Sequence, residues 1–369
     1  MLVPRRILLN PGPCTTSEHV KRALLMPDLC PREHEFGTLL SAVRSKLPRV
    51  AHGVTTHTAV LLAGPGTAAM ESCLTSVLGQ GDGALIVDNG AYGRRAEQIA
   101  LAYGIPHLTL KLEWTQRADA ERIEAALKEH PSLTHCYFVH HETTTGMLNP
   151  LADIVDVCRR RGVVTIVDAM SSLGGVPLDL RRSPADFVIS SANKCLQGFP
   201  GLSLVLAERS ALASTAGLPR RSFTLHLHDN WHSQEQDGEF LYTPPVQVLN
   251  ALDVALDELF AEGLEARHRR YAACYDALHS GMRALGFAAL LPEAWHSRLL
   301  TTYREPNHPA WSFDAMHDDL YEQGITVYPG KLTNARTFRL ANIGNLVPAD
   351  LNLFLHCLRD HMVSRGIAL

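Results

Sequence analysis

Between residues 55 and 210, short apolar runs alternate with stretches of helical periodicity. The runs at 58–63, 84–88, 136–139, 163–168, 187–190 and 202–207 are aliphatic and β-branched, and they lack the polar alternation of a strand with one wet face. Strands buried on both faces read this way, so the pattern predicts a mainly parallel α/β sheet. Helical spacing fills the gaps at 119–129 and 151–161. In the second of these, Leu151, Ile154, Val155 and Cys158 fall on one face, and Gly162 follows three arginines as a stop signal. The texture changes after Pro245. Val248, Leu252, Ala255, Leu256 and Leu259 mark an amphipathic helix over 246–260, a second helix covers 264–285, and shorter strands are expected at 298–303, 325–328 and 337–341. A closing helix starts at Pro348, a residue suited to a first turn. The reading is a large domain over 1–250 and a smaller C-terminal α/β domain over 251–369, with the first ~15 residues packing on the small one.

Composition narrows the class of protein. The 369 residues are 46% hydrophobic and 20% charged, which excludes a disordered chain and a coiled coil. Lys and Arg number 34 against 38 Asp and Glu, a net charge of −4 with no block of one sign, so a nucleic-acid partner is not expected. Eight cysteines fall at irregular intervals without a C-x-x-C pair and read as reduced, mostly buried thiols. The first residues carry an arginine pair but no apolar stretch of signal-peptide length, and no run approaches the ~18 residues of a membrane span. A cytoplasmic protein is expected.

Candidate chemistry sits where the apolar runs end. Asp168 closes the run 163–168, at the carboxyl edge where open parallel sheets carry their ligand groups. Alone, such an acid equally caps the next helix. Lys194 lies in a turn just past the run 187–190, where an isolated lysine would face water. Together the two residues suit pyridoxal phosphate: the lysine bonds the aldehyde, and the acid keeps the pyridine nitrogen protonated so that the ring accepts electrons. The run 58–63 leads into Gly64, Pro65, Gly66 and Thr67 at the start of a helix. Backbone N–H groups and the Thr67 hydroxyl there form an anion site for the phosphate.

The segments HETTTGMLNP (141–150), SSANKCLQG (190–198) and FRLANIG (338–344) carry a more specific signal than any glycine turn. With 8–17, 30–36, 88–93, 167–175, 242–245 and 328–331, they span almost the whole chain and resemble the fold-type I, class V aminotransferases. The resemblance implies pyridoxal 5'-phosphate bound to Lys194, with Asp168 on its ring nitrogen and Tyr92 stacked on the ring. Tyr92 taken alone also reads as a core aromatic beside a tight turn. Thr143 would lie near the phenolic oxygen, and Gly66, Thr67, Ala68 and Asn193 would hold the phosphate. Thr243 would reach the phosphate of a neighbouring subunit, which implies a homodimer with active sites at the interface. Arg339 would bind the substrate's acidic group through its planar fork. Arg32 is a second anionic contact, or else a loop arginine paired with Glu33 or Glu35.

Within the family, the resemblance points to transfer of an amine from 2-aminoethylphosphonate to pyruvate, giving phosphonoacetaldehyde and alanine. The alternatives are a related class V transaminase of the alanine–glyoxylate or serine–pyruvate type, one acting on a substituted aminophosphonate, or a pyridoxal phosphate lyase. Two features depart from the family pattern. Pro65 stands where a serine is usual, which removes one hydroxyl from the phosphate turn. His226, His228 and His232 cluster more densely than expected; they belong to a loop on the rim of the active site or, less simply, to a zinc site. No metal is expected. His141 either approaches the cofactor or is a packed histidine.

Overall fold

The computed structural model describes residues 5–330, 332 and 335–368. Seven strands form the central sheet: β1 (His57–Ala63), β2 (Gly83–Asp88), β3 (His107–Lys111), β4 (Leu133–Val139), β5 (Val164–Asp168), β6 (Phe187–Ser191) and β7 (Leu202–Glu208). Their order is β1-β7-β6-β5-β4-β2-β3. β7 runs antiparallel to both neighbours and every other pair is parallel. The apolar runs are continuous because each face of the sheet has its own core. Ala59 and Leu61 of β1 and Leu85 and Val87 of β2 pack on one side, while Val60, Leu62, Ala84 and Ile86 pack on the other.

β3 was not anticipated, for a physical reason. It is an edge strand in which Leu108 and Leu110 alternate with His107, Thr109 and Lys111, and most of it is only half-buried. The two helices expected between strands are Ala120–Glu129, with Asp119 accepting from the Glu121 amide at 2.9 Å, and Leu151–Arg160, which ends before Gly162 at φ +66°. Helix His34–Lys46 was overlooked, although Phe36, Leu40 and Val43 mark its buried face.

Beyond the sheet, helix Val246–Glu262 contains the expected boundary at 250, and its Leu249, Leu252, Leu256 and Leu259 all belong to the core of the large sheet. Helix Leu264–Ala284 then joins a separate core with Phe313–Glu322 and Pro348–Ser364. That core backs a three-stranded antiparallel sheet of β8 (Leu300–Arg304), β9 (Tyr328–Pro329) and β10 (Thr337–Ala341), in the order β8-β10-β9. The single strand expected over 325–328 is two short pieces. Ile325–Thr326 pairs in parallel with Ile7–Leu8, and β9 pairs with β10. Ile7 and Leu9 thereby enter the C-terminal core. Of the motif at 328–331, Lys331 lies outside the described residues.

Candidate active site

Because β1, β2, β4, β5 and β6 point the same way, the loops that follow them all emerge at one edge. A cavity of about 210 Å³ lies there, bounded by Gly66 and Thr67 after β1, Tyr92 and Arg95 after β2, Met170 after β5, and Asn193 and Lys194 after β6. Lys194 is half-buried, and its Nζ donates to Pro11 O at 2.7 Å. The chain covering it turns at Gly12, whose φ of +136° places any added Cβ within 2.5–2.8 Å of the Lys194 side chain. The positive φ favours glycine at that point.

Asp168 ends β5 fully buried. Tyr137 Oη donates to its Oδ2 at 2.9 Å, and the Met170 amide donates to its Oδ1 at 2.9 Å. Burial pushes its pKa up, while those two donors and the charges of Arg95 and Lys194 pull it back. The sheet thus holds an acid in a dry place with positive charge nearby. Helix Gly66–Ser76 starts after Pro65 without a side-chain cap, and a Cβ on Gly66 would collide with Met170. Gly66 and Thr67 of its first turn line the cavity, Ala68 N donates to Pro65 O at 2.8 Å, and Thr67 Oγ1 accepts from Arg95 Nη1 at 3.2 Å. Asn193 is half-buried on the same wall.

Tyr92 sits in the first turn of helix Ala91–Ala102, a helix with no cap of its own at Gly90. The loop after β4 caps it instead: Ala91 N donates to Thr144 Oγ1 at 3.1 Å, and Tyr92 N donates to Glu142 Oε2 at 3.4 Å. Glu142 is buried, and burial raises its pKa to about 7. Arg339 on β10 is also buried. It donates from Nε to Pro329 O at 3.0 Å and from Nη1 to Thr143 O at 3.4 Å. Burial lowers its pKa, and the nearby Tyr92, Glu142 and Tyr328 oppose that shift. A residue of the C-terminal sheet therefore bonds Thr143 of the loop after β4 and feels the charges of Tyr92 and Glu142.

Other candidate residues lie elsewhere. Thr243 is exposed beside Tyr242 and takes no part in its own chain's cavity. Arg32 is bonded neither to Glu33 nor to Glu35; its Nη1 donates to Glu239 Oε2 and, at 3.0 Å, to Phe240 O. It lines a separate depression of about 760 Å³ with His34, Arg44 and Glu235, not the cavity of Lys194. His226, His228 and His232 occupy one short helix and its N-cap, with His226 Nδ1 3.0 Å from Asp229 Oδ1. Among the described residues no group of His, Cys, Asp and Glu is arranged to hold a metal ion. His141 is a packed histidine: its Nδ1 meets Ser171 Oγ at 3.0 Å, and burial depresses its pKa to about 3. Cys195, next to Lys194, is buried with its thiol on Ser171 O, and burial pushes its pKa up. None of the eight cysteines forms a disulfide.

The sequence reading missed Arg95, Glu142 and Tyr137. Arg95 had a faint signal, one turn beyond Tyr92 on the same helix face. Glu142 lies within the segment 141–150 but nothing in it singled that acid out, and Tyr137 had no signal, since burial alone sets it apart from an ordinary strand residue.

The family model for class-V aminotransferases matches residues 28–344. The chain belongs to the class-V aminotransferases. It is 44% identical over 355 residues to a 2-aminoethylphosphonate–pyruvate transaminase of Aeromonas hydrophila, covering 95% of this chain and 93% of that protein. It is 42% identical over 359 residues to a protein of the same name from Vibrio vulnificus, covering 96% and 97% of the two chains. Among solved structures, an alanine–glyoxylate aminotransferase of Nostoc superposes with a TM-score of 0.91 at 25% identity, covering 98% of this chain and 96% of that one. Class-V aminotransferases are fold-type I enzymes, and their cofactor is pyridoxal phosphate. This chain's site fits that cofactor. Ser191 Oγ on the cavity wall is buried without a hydrogen-bond partner, and Asp168 is a buried acid at a strand end under the charges of Lys194 and Arg95. Among the described residues no helix is long and apolar enough to cross a membrane.

Proposed function

We propose that this chain transfers the amine of 2-aminoethylphosphonate to pyruvate, releasing phosphonoacetaldehyde and alanine, as a cytoplasmic homodimer. One observation supports the amine-transfer reading: Lys194 and the helix start at Gly66 line one cavity with Tyr92 and Arg95, and the buried Asp168 at the end of β5 feels the charges of Lys194 and Arg95. The choice of substrates follows the name shared by the relatives at 40–44% identity.

Pyridoxal phosphate, when bound, supplies an aldehyde for the incoming amine and a ring that accepts electrons from the carbon bearing it. Lys194 Nζ, set free by the substrate amine, would carry the proton from that carbon of 2-aminoethylphosphonate to the carbon that was the cofactor's aldehyde, and in the return half would move it back to the carbon that becomes alanine's α-carbon. Asp168 holds a proton on the pyridine nitrogen, a task suited to an acid kept from water by β5 and Tyr137. Gly66, Thr67, Ala68 and Asn193 anchor the phosphate, Tyr92 stacks on the ring, and Thr143 stands at the phenolic oxygen. The exposed Thr243 completes the partner subunit's phosphate site. Arg339 receives the phosphonate of one substrate and the carboxylate of the other in turn. Both are anions with paired oxygens that match a guanidinium fork.

The test is a half-reaction. Purified holoenzyme is mixed with 2-aminoethylphosphonate and no keto acid while the visible absorbance of the lysine-bound cofactor is followed. The expected result is stoichiometric loss of that band, restored by pyruvate. Sustained turnover without pyruvate would replace transfer by elimination. A band unmoved by this amine but lost with another would overturn the substrate.

A further inference from the structure

Arg95 stands at the cavity without a place in the cofactor residues named so far. It lies three residues beyond Tyr92 on helix Ala91–Ala102, hence on the same face, and helical side chains lean toward the N-terminus. That direction brings its guanidinium carbon 5.0 Å from the centre of the Tyr92 ring and its Nη1 3.2 Å from Thr67 Oγ1, at the start of helix Gly66–Ser76. The group therefore bridges the stacking residue and the phosphate turn. Pro65 offers that turn neither a hydroxyl nor an N–H. A helix end contributes only a partial positive charge, roughly +0.5, against a phosphate that carries close to two negative ones. Among the described residues bounding the cavity, Arg95 and Lys194 carry charge, and Lys194 is committed to the cofactor's aldehyde.

We propose that Arg95 is a ligand of the cofactor's phosphate, supplying the charged donor that the neutral turn lacks. The inference rests on the reading that the helix start at Gly66 is the phosphate end of the site. Thr67 Oγ1 already holds one guanidinium nitrogen at the phosphate turn, and the remaining N–H groups of the fork are of the type that pairs with phosphate oxygens. The ring of Tyr92 beneath the guanidinium restricts its rotamers, which lowers the entropy lost when the anion arrives.

The test separates phosphate recognition from ring recognition. Full-length protein stripped of cofactor is titrated with pyridoxal phosphate and, separately, with pyridoxal, in the wild type and in the Arg95→Ala, Arg95→Gln and Arg95→Lys variants. Arg95→Ala and Arg95→Gln should weaken pyridoxal phosphate by ~10–100-fold, the range of a charge-assisted hydrogen bond, and leave pyridoxal unchanged. Arg95→Lys should recover part of the loss, since it restores charge without the fork. Inorganic phosphate should compete with the cofactor in the wild type and lose that ability in Arg95→Ala. Equal weakening of pyridoxal and pyridoxal phosphate would overturn the proposal and make Arg95 a support for Tyr92. Unchanged affinity for both would overturn it as well. If the wild type itself bound pyridoxal phosphate no better than pyridoxal, the phosphate site at Gly66 would be wrong, a failure distinct from that of Arg95. Thermal melts of the stripped variants identify any loss that comes from unfolding.

Discussion

The two edges of the central sheet differ in what their polar groups are bonded to. At the amino edge a cavity of about 450 Å³, more than twice the size of the one beside Lys194, is lined by His57, Thr165, Asp186 and Glu208. Its polar groups are matched locally. His57 meets Thr56 Oγ1 and Ala185 O, both at 2.8 Å, and Asp186 accepts from the Thr165 amide and hydroxyl at 2.8 and 2.7 Å. At the carboxyl edge Ser191 Oγ, His141 Nε2 and Asn10 Oδ1 are buried with no partner, and burial raises the pKa of the acids Asp168 and Glu142. The amino edge uses its polar side chains to tie strands together, whereas the carboxyl edge holds its own in reserve for a ligand. Of these two cavities the smaller is the one beside Lys194, so volume does not mark the site.

That contrast breaks if substitutions at the two edges have similar effects. Lys194→Ala should lower multiple-turnover kcat by about 10⁴ or more and leave the melting temperature nearly unchanged. Normal turnover in that variant would remove the lysine from the chemistry. Arg339→Ala should weaken both 2-aminoethylphosphonate and pyruvate by about 10–100-fold in kcat/KM, the loss of a charge-assisted pair. An effect on one substrate alone would separate the two anion sites.

At the other edge the expectation reverses. Asp186→Ala strands the Thr165 donors and should cost about 2–3 kcal/mol in denaturant unfolding, with kcat of the folded enzyme unchanged. A fall in kcat with stability intact would dissolve the distinction between the edges.

Glu142 sharpens the comparison with a smaller effect. Its folded pKa of about 7 lies above the ordinary 4.5, so the native state binds the extra proton between those values and is destabilised as pH rises through them. Glu142→Gln cannot ionise. Relative to wild type it should gain about 2 kcal/mol of stability on going from pH 5 to pH 8, measured by urea unfolding at both. A pH-independent difference would show that Glu142 stays ionised throughout.

How much of this was legible depends on whether a residue's partner is near it in sequence. The strands buried on both faces announced themselves, and so did Asp168 and Lys194, because each closely follows such a run. β3 was hidden by alternation at a half-wet edge, and the run 325–328 by being divided between two sheets. The site's cross-links were out of reach. Tyr92 is capped from Glu142, Lys194 is covered by Pro11, and Arg32 finds Glu239. Each of these pairs is joined only by the fold, so no spacing rule along the chain announces it.

The cover over Lys194 has a mechanical consequence. Pro11 belongs to a segment whose preceding residues are stitched to the other core: Ile7–Leu8 runs beside Ile325–Thr326, and Leu9 O accepts from Ala341 N at 2.8 Å. Ala341 and Arg339 lie on the same strand, β10. This stretch of chain is therefore a tie-rod: the carbonyl over the lysine and the strand bearing the arginine are held in one continuous hydrogen-bonded frame.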